Sequence, residues 1–206
     1  ENMKNYIIHL DKPAETFLTS TAIGNGSMGA MLFGNPHKER IVLSEESIWS
    51  GEEHDTTYPQ FREDLARVRK MYLSGDKYTL DEEMEAAAEK CVSTIKSCEY
   101  AGAVEIDFDD KSEITDYKRD LHLNNAVSTV SYTKNGVTIT QEAFCAYADE
   151  VIAVKISSSD KISFTLNYFR ECFDEYKNEN GINTYLSHTQ FGDHKVCVGI
   201  KPLKTA

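Results

Sequence analysis

Three pairs of adjacent carboxylates are the residues whose chemistry first suggests acid–base catalysis: Glu45-Glu46, Glu52-Glu53 and Asp109-Asp110. Hydrolysis of a glycosidic bond needs two carboxyl groups that face each other across a sugar, about 5 to 9 Å apart. Adjacent residues on a strand point to opposite faces, so a neighbouring pair cannot provide this geometry by itself. We therefore expect these pairs to lie on the solvated surface, and we assign no catalytic residue.

A second motif, Gly24-Asn25-Gly26-Ser27-Met28-Gly29, has the G-x-G-x-x-G spacing of a dinucleotide site. Such a site needs a buried strand before the glycines and a helix after them. Here the preceding residues are polar, and a Gly-Asn-Pro break follows too soon for a helix. We predict a turn in which backbones approach closely, and no cofactor. The structural glycines of this turn are Gly24, Gly26 and Gly29.

The six histidines and five cysteines show no spacing typical of a metal site, because neither H-x-x-x-H nor C-x-x-C occurs. We therefore expect no metal. An odd number of irregularly spaced cysteines favours free thiols in a reducing compartment. This predicts a cytoplasmic protein, or a secreted one if a leader has been removed.

The charge balance limits the possible partners. The 206 residues include 34 acidic and 22 basic ones, which gives a net charge of −12. An acidic surface repels nucleic-acid phosphates and anionic membranes, so we expect neither partner. Neutral sugars remain compatible with this surface.

Hydrophobic periodicity predicts a mainly β, antiparallel sandwich with a short two-helix insertion at about residues 60–96. In the insertion, apolar residues at helical spacing run from Phe61 to Tyr72, where Ser74-Gly75 ends the first helix. A second helical stripe comprises Leu80, Met84, Ala87 or Ala88, Cys91 and Ile95. Alternating strands follow, with a hairpin turn at Asn135-Gly136. No linker or repeat is visible, so a single domain over residues 1–206 is expected.

Three segments, read in order, resemble glycoside hydrolase family 95. Residues 21–34, TAIGNGSMGAMLFG, are similar to the family's lPIGNGrLGAMvfG. Residues 39–51, ERIVLSEESIWSG, resemble eRiqLNEdtlWsG, and residues 117–127, YKRDLHLNNAV, resemble YrReLDLdtAva. The sequence departs from the pattern at Ser44, where the family usually has Asn, and at Met28, where it usually has Leu.

This resemblance implies the N-terminal super-sandwich domain of an α-L-fucosidase-like enzyme. Family members are inverting enzymes whose catalytic groups lie in a separate (α/α)6 helical domain, so no catalytic residue is carried over to this chain. The expected partners are that catalytic helical domain and, for the whole enzyme, a fucosylated or galactosylated oligosaccharide. The alternatives are an independent carbohydrate-binding module and, less well supported, an enzyme acting by itself.

Four residues are candidates for touching a sugar, contacting the catalytic domain or fixing a backbone loop: Asn25, Glu45, Trp49 and Ser50. They stand where polar residues and glycines are dense among otherwise apolar strands. Trp49 is the only tryptophan, and an aromatic ring can stack on the C–H face of a sugar. A domain that normally packs on another also leaves an apolar patch exposed when alone, so self-association through that interface is expected.

Overall fold

The computed structural model describes residues 6–50, 59–75, 81–82, 84–86, 97–190 and 194–203. The chain divides into two compact units, one formed by Glu1–Trp49 with Cys98–Ala206 and the other by Ser50–Ser97. The first unit carries the β-structure and the second carries the helices. The expectation of a single domain over the whole chain stays a prediction.

The first unit contains thirteen described strands and a short 3-10 helix at Phe17–Thr19. The strands are β1 (Ile7–Leu10), β2 (Thr21–Gly24), β3 (Met28–Leu32), β4 (Lys38–Glu45), β5 (Gly102–Phe108), β6 (Ile114–His122), β7 (Val127–Lys134), β8 (Val137–Ala146), β9 (Val151–Ser158), β10 (Phe164–Phe169), β11 (Phe173–Glu179), β12 (Ile182–His188) and β13 (Lys195–Ile200).

These strands form antiparallel sheets, as the sequence predicted. One five-stranded sheet has the order β1-β6-β7-β8-β9 and the other the order β10-β5-β4-β3-β2. Strands β11, β12 and β13 form a third, three-stranded sheet. The mainly β, antiparallel fold with helices inserted after β4 is therefore confirmed.

The main core lies between the two five-stranded sheets. Leu32, Ile41 and Ile106 from the second sheet are buried there together with Ala143 from β8 of the first sheet. Fully burying each Leu or Ile contributes about 1.5–3 kcal/mol. Strand β7 shows the alternation that builds this layer, because every second residue from Ser128 onward is buried.

The turn between β7 and β8 has the predicted two-residue form. Asn135 and Gly136 adopt φ angles of 48° and 78°. Positive φ at both positions gives the turn a twist that matches the flanking strands, and Asn and Gly tolerate it better than other residues. The Asn-Gly signal in the sequence therefore set the register of this hairpin.

In the second unit, helix α1 spans Phe61–Ser74 and ends at Gly75, whose φ of 79° makes it a left-handed C-cap. Residues 81–82 and 84–86 are also helical, which agrees with the start of the predicted second helix. The rest of its predicted stripe lies outside the described residues: Leu80, Ala87, Ala88, Cys91 and Ile95. None of the helices described is long and apolar enough to span a membrane.

Candidate functional site

The predicted glycine turn joins β2 to β3. Gly24 pairs directly with Gly29 across the hairpin, and Gly26 at its tip has a φ of 105°. A Cβ atom at Gly24 or at Gly29 would lie 3.2 Å from a backbone carbonyl oxygen. The structure therefore places all three glycines where the backbone is tightly packed or has positive φ.

Asn25 fixes this turn with both ends of its side-chain amide. Its Oδ1 accepts hydrogen bonds from the backbone N–H groups of Ser27 (3.1 Å) and Met28 (2.9 Å). Its Nδ2 donates to the carbonyl oxygen of Ala146, 2.9 Å away at the end of β8. One residue thus holds the turn and ties it to the opposite sheet.

Glu45 lies beside this turn, and Trp49 follows four residues later in the segment after β4. Glu45 pairs with Met28 across β3 and β4, and its carboxylate accepts the backbone N–H and the hydroxyl of Ser47. Trp49 forms an antiparallel bridge with Cys98 and is 42 % exposed. We call residues 24–29, 45–49 and 144–151 the hairpin end of the sandwich, and three of the four candidate residues lie in it.

Ser50 lies in the second unit and has a different role. It is only 3 % exposed, and both its backbone N–H (3.2 Å) and its hydroxyl (3.1 Å) donate to the carbonyl oxygen of Ser97. These two bonds join the first residue of the helical unit to its last. Burial and full use of its hydroxyl make Ser50 a structural residue.

A group of buried charges holds the turn from β3 to β4, residues 33–37, and none of its members is among the site residues predicted from the sequence. Glu39 is 1 % exposed, and its carboxylate accepts the backbone N–H groups of Phe33 (3.0 Å) and Asn35 (2.6 Å). Burial raises the pKa of Glu39 to about 7, although these hydrogen bonds and the nearby Arg119 act to lower it.

The cations and phenols of this group bind carbonyl oxygens of the turn. Arg119 is 2 % exposed and donates to the carbonyl oxygen of Phe33 in the turn (3.5 Å) and to that of Thr19 in the 3-10 helix (3.1 Å). Lys134 donates to the carbonyl oxygen of Pro36 (3.0 Å), and the hydroxyl of Tyr117 donates to that of Gly34 (2.7 Å). Because buried backbone groups need partners, these donors add to the local bonds of the turn, in which Oδ1 of Asn35 accepts the N–H groups of His37 (2.9 Å) and Lys38 (3.2 Å).

Comparison with known proteins defines the family. Residues 8–195 match the model of the family described as Glycosyl hydrolase family 65, N-terminal domain. The chain belongs to this family. Alpha-L-fucosidase 2 of Arabidopsis thaliana is 27 % identical over 92 % of this chain and 23 % of that protein. Probable alpha-fucosidase A of Aspergillus niger is 26 % identical over 70 % of this chain and 18 % of that protein.

The expected N-terminal domain of an α-L-fucosidase-like glycoside hydrolase is thereby confirmed, although the matching model is described under family 65 and the resemblance was stated for family 95. A further relative, probable alpha-fucosidase A of Aspergillus oryzae, is 23 % identical over 74 % of this chain. The chain spans about a fifth of the length of these relatives, between 18 and 23 %.

All three segments that carried the resemblance meet at the turn of residues 33–37 in this N-terminal domain. The first segment ends in Phe33 and Gly34, the second begins with Glu39, and the third contributes Tyr117 and Arg119. The resemblance therefore follows a structural requirement of the sandwich. Strand alternation was the signal for it, because Glu39 and Arg119 occupy inward positions two residues from Ile41 and Leu121.

The carboxylate pairs have the expected surface positions where the structure describes them. Glu46, Asp109 and Asp110 are exposed and Glu45 is half-buried, while Glu52-Glu53 lies outside the described residues. Within the described ranges, no group of three or more His, Cys, Asp or Glu residues is placed to hold a metal ion.

Proposed function

We propose that this N-terminal domain is an accessory domain of an inverting α-L-fucosidase-like glycoside hydrolase, and that it shapes and stabilises the enzyme's catalytic helical domain. The observation that carries the proposal is the hairpin end, an ordered surface with exposed apolar side chains. Its large exposed apolar residues are Trp49, Phe144, Tyr147 and Val151, of which Tyr147 is 81 % exposed.

Two properties make this end suited to contact another folded domain. Exposed apolar patches on soluble proteins typically mark interaction surfaces. The turns here are also fixed in advance, by the amide of Asn25 and by the bond from the N–H of Glu46 to the carbonyl oxygen of Ser27 (2.8 Å). A surface that is already ordered loses less conformational entropy when it docks.

The names of the relatives support the substrate class. The matched proteins of Arabidopsis thaliana and the two Aspergillus species are described as α-fucosidases. We propose that the whole enzyme containing this domain acts on a fucosylated or galactosylated oligosaccharide. In that enzyme Trp49 would form part of the wall beside the sugar, or part of the contact with the catalytic domain.

The first experiment compares hydrolysis of 4-nitrophenyl α-L-fucoside by this chain and by the longer protein that contains it. The expected result is turnover by the longer protein alone. Trp49→Ala and Tyr147→Ala in the longer protein should lower kcat/KM or the unfolding temperature, whereas Tyr6→Ala, which removes an exposed aromatic outside the hairpin end, should change neither. Turnover by this chain alone, or unchanged values for both hairpin-end variants, would refute the accessory role.

An independent carbohydrate-binding module is the second candidate, and the half-exposed Trp49 is what favours it. Titration of this chain with fucosylated oligosaccharides separates the two. Binding with a dissociation constant of about 1 mM or tighter, lost in Trp49→Ala, would support a binding module. A flat titration would leave only the accessory role.

Self-association through the hairpin end and a cytoplasmic location also belong to this proposal. Sedimentation equilibrium tests the first, because Tyr147→Ala should weaken a dimer that buries this end. A monomer that persists at high concentration would contradict it.

A further inference from the structure

A cleft of about 540 Å³ opens on the outer face of the second five-stranded sheet, away from the hairpin end. Strands β4 and β5 contribute Lys38, Arg40 and Glu105 to its lining, and Arg40 lies directly opposite Glu105 in the sheet. Residues 12–15 and the turn of residues 33–37 form its sides. Its volume falls within the range of roughly 300–1,000 Å³ typical of small-molecule sites.

The cations of this cleft are not equally available to a ligand. Lys38 is neutralised by an ion pair with Glu105, with 2.7 Å between Nζ and Oε2. Arg40 places its guanidinium carbon 5.9 Å from the centre of the Phe33 ring, and Lys12 also lines the cleft. In the described part of the chain, neither Arg40 nor Lys12 has a carboxylate partner within ion-pair distance, although the protein carries a net charge of −12.

The remaining lining groups indicate what else the ligand carries. The carboxylates of Glu15 and Glu105 disfavour a doubly charged anion such as phosphate more than a single carboxylate, and they accept hydrogen bonds from hydroxyl groups. Pro13 and Phe33 offer apolar surface of the kind that packs against the C–H face of a pyranose ring. The cleft therefore combines groups complementary to one carboxylate, several hydroxyls and an apolar face.

We propose that this cleft binds an acidic sugar, a uronic acid unit of an oligosaccharide, whose carboxylate is held by Arg40 and Lys12. The planar guanidinium of Arg40 can hold a carboxylate with two parallel hydrogen bonds, and the ammonium of Lys12 adds a second positive charge. This cleft would be a second sugar-binding site, on the accessory domain. The proposal rests on the proposed function in one respect, which is that the whole enzyme acts on carbohydrate.

The test is an NMR titration of this 206-residue chain with three probes: trigalacturonate, the neutral galactotriose and acetate. Trigalacturonate should bind with a dissociation constant of about 1 mM or tighter and shift the signals of Arg40, Lys12 and Phe33. Arg40→Gln should weaken binding about tenfold or more, and Lys12→Gln by a smaller factor. Lys161→Gln, which removes an exposed lysine from a loop outside the cleft, should leave binding unchanged.

Each other outcome overturns part or all of the proposal. If galactotriose binds as tightly as trigalacturonate, the carboxylate does not contribute to recognition. Acetate that competes at equal concentration would show an anion site with no sugar recognition. Unchanged affinity in a folded Arg40→Gln variant would place binding elsewhere. Because the titration reads binding and not turnover, trigalacturonate binding without fucosidase activity in the longer protein would overturn the proposed function alone.

Discussion

Two consecutive turns of the same sheet each use the side-chain oxygen of an asparagine, but only the second is also held by buried charged groups. The turn from β2 to β3 lies at the hairpin end, and a neutral, half-buried amide, that of Asn25, holds it. The turn from β3 to β4, residues 33–37, lies over buried side chains, and Glu39, Arg119 and Lys134 hold it with charged groups.

The difference shows how burial changes what a turn needs. At an open end, water satisfies the backbone groups that the amide does not reach, and a neutral hydrogen bond contributes only about 0.5–1.5 kcal/mol. On the inner side of the second turn, buried side chains replace water, so protein groups must satisfy the carbonyl and N–H groups that face inward. Charged groups make stronger bonds there, but the loss of one partner leaves the other buried and uncompensated.

Removal of Arg119 should have the largest effect. In Arg119→Ala the buried carboxylate of Glu39 loses its nearby cation, and the carbonyl oxygen of Thr19 loses its donor. We expect a loss of about 3–5 kcal/mol in the free energy of unfolding, measured by urea denaturation, because two carbonyl oxygens lose a charged donor and the buried side chain leaves a cavity. The control is Lys118→Ala, which removes a neighbouring cation from the outer face of β6. Equal effects of the two substitutions would show that the buried charges do not hold the turn.

The pH dependence of stability should follow Glu39. Its pKa is raised from 4.5 to about 7, so the folded state binds more protons than the unfolded state between these values. The contribution of this group to stability is therefore full below pH 4.5 and is lost as the pH rises through 7. The shift corresponds to about 3 kcal/mol.

Urea midpoints measured from about pH 5 to about pH 8 test this sign. The Glu39→Gln variant cannot titrate at this position, so its stability should fall less than that of the wild type over the same range. Comparing the slopes cancels the contributions of the other titrating groups. Parallel slopes would mean that Glu39 keeps an ordinary pKa despite its burial.

The same contrast shows what the sequence could predict. The turn from β2 to β3 was visible because three glycines and Asn25 are residues that turns require. The buried turn was not identified, since Glu39 and Arg119 are normally surface residues and strand alternation alone does not say that a charge has a buried partner. Glu39 binds residues close to it in the sequence, but Arg119 and the carbonyl oxygen of Phe33 lie 86 residues apart along the chain, at a contact that only the packing of the two sheets creates.

The candidate site shows the same division. Asn25, Glu45 and Trp49 share one end of the sandwich because β3 and β4 are neighbours in the sequence and pair in the sheet. The bond from Asn25 to Ala146, in contrast, joins positions 121 residues apart. Ser50 stands next to Trp49 in the sequence, yet its hydroxyl is used inside the helical unit. The position of β8 beside Asn25, and the approach of Ser97 to Ser50, depend on the tertiary structure. Residue types alone could therefore not reveal the roles of Asn25 and Ser50.

Two glycine substitutions should differ in how much they destabilise the protein, one in each turn. Gly34 has a φ of 68°, and a Cβ there would lie 2.7 Å from the hydroxyl oxygen of Tyr117 and 2.8 Å from Cδ of Arg119. Gly26 has a φ of 105°, but no atom lies within 4 Å of its Cβ position. Gly26→Ala should cost about 1 kcal/mol from backbone strain alone, and Gly34→Ala about 2 kcal/mol more from overpacking. Equal losses in thermal unfolding would contradict a tightly packed buried turn.

A small effect is expected at Asn25, where the choice of substituting residue separates the two hydrogen-bonding functions of the amide. Asn25→Asp keeps the oxygen that accepts the N–H groups of Ser27 and Met28 but loses the donor to Ala146. We expect a loss of about 1 kcal/mol for Asn25→Asp and about twice that for Asn25→Ala, which removes both functions. Hydrogen exchange gives the decisive reading, because in Asn25→Asp the amides of Ser27 and Met28 should stay protected while the ends of β8 and β9 open more often. Faster exchange of the turn itself in Asn25→Asp would mean that the bond to Ala146, and not the local cap, holds the hairpin end together.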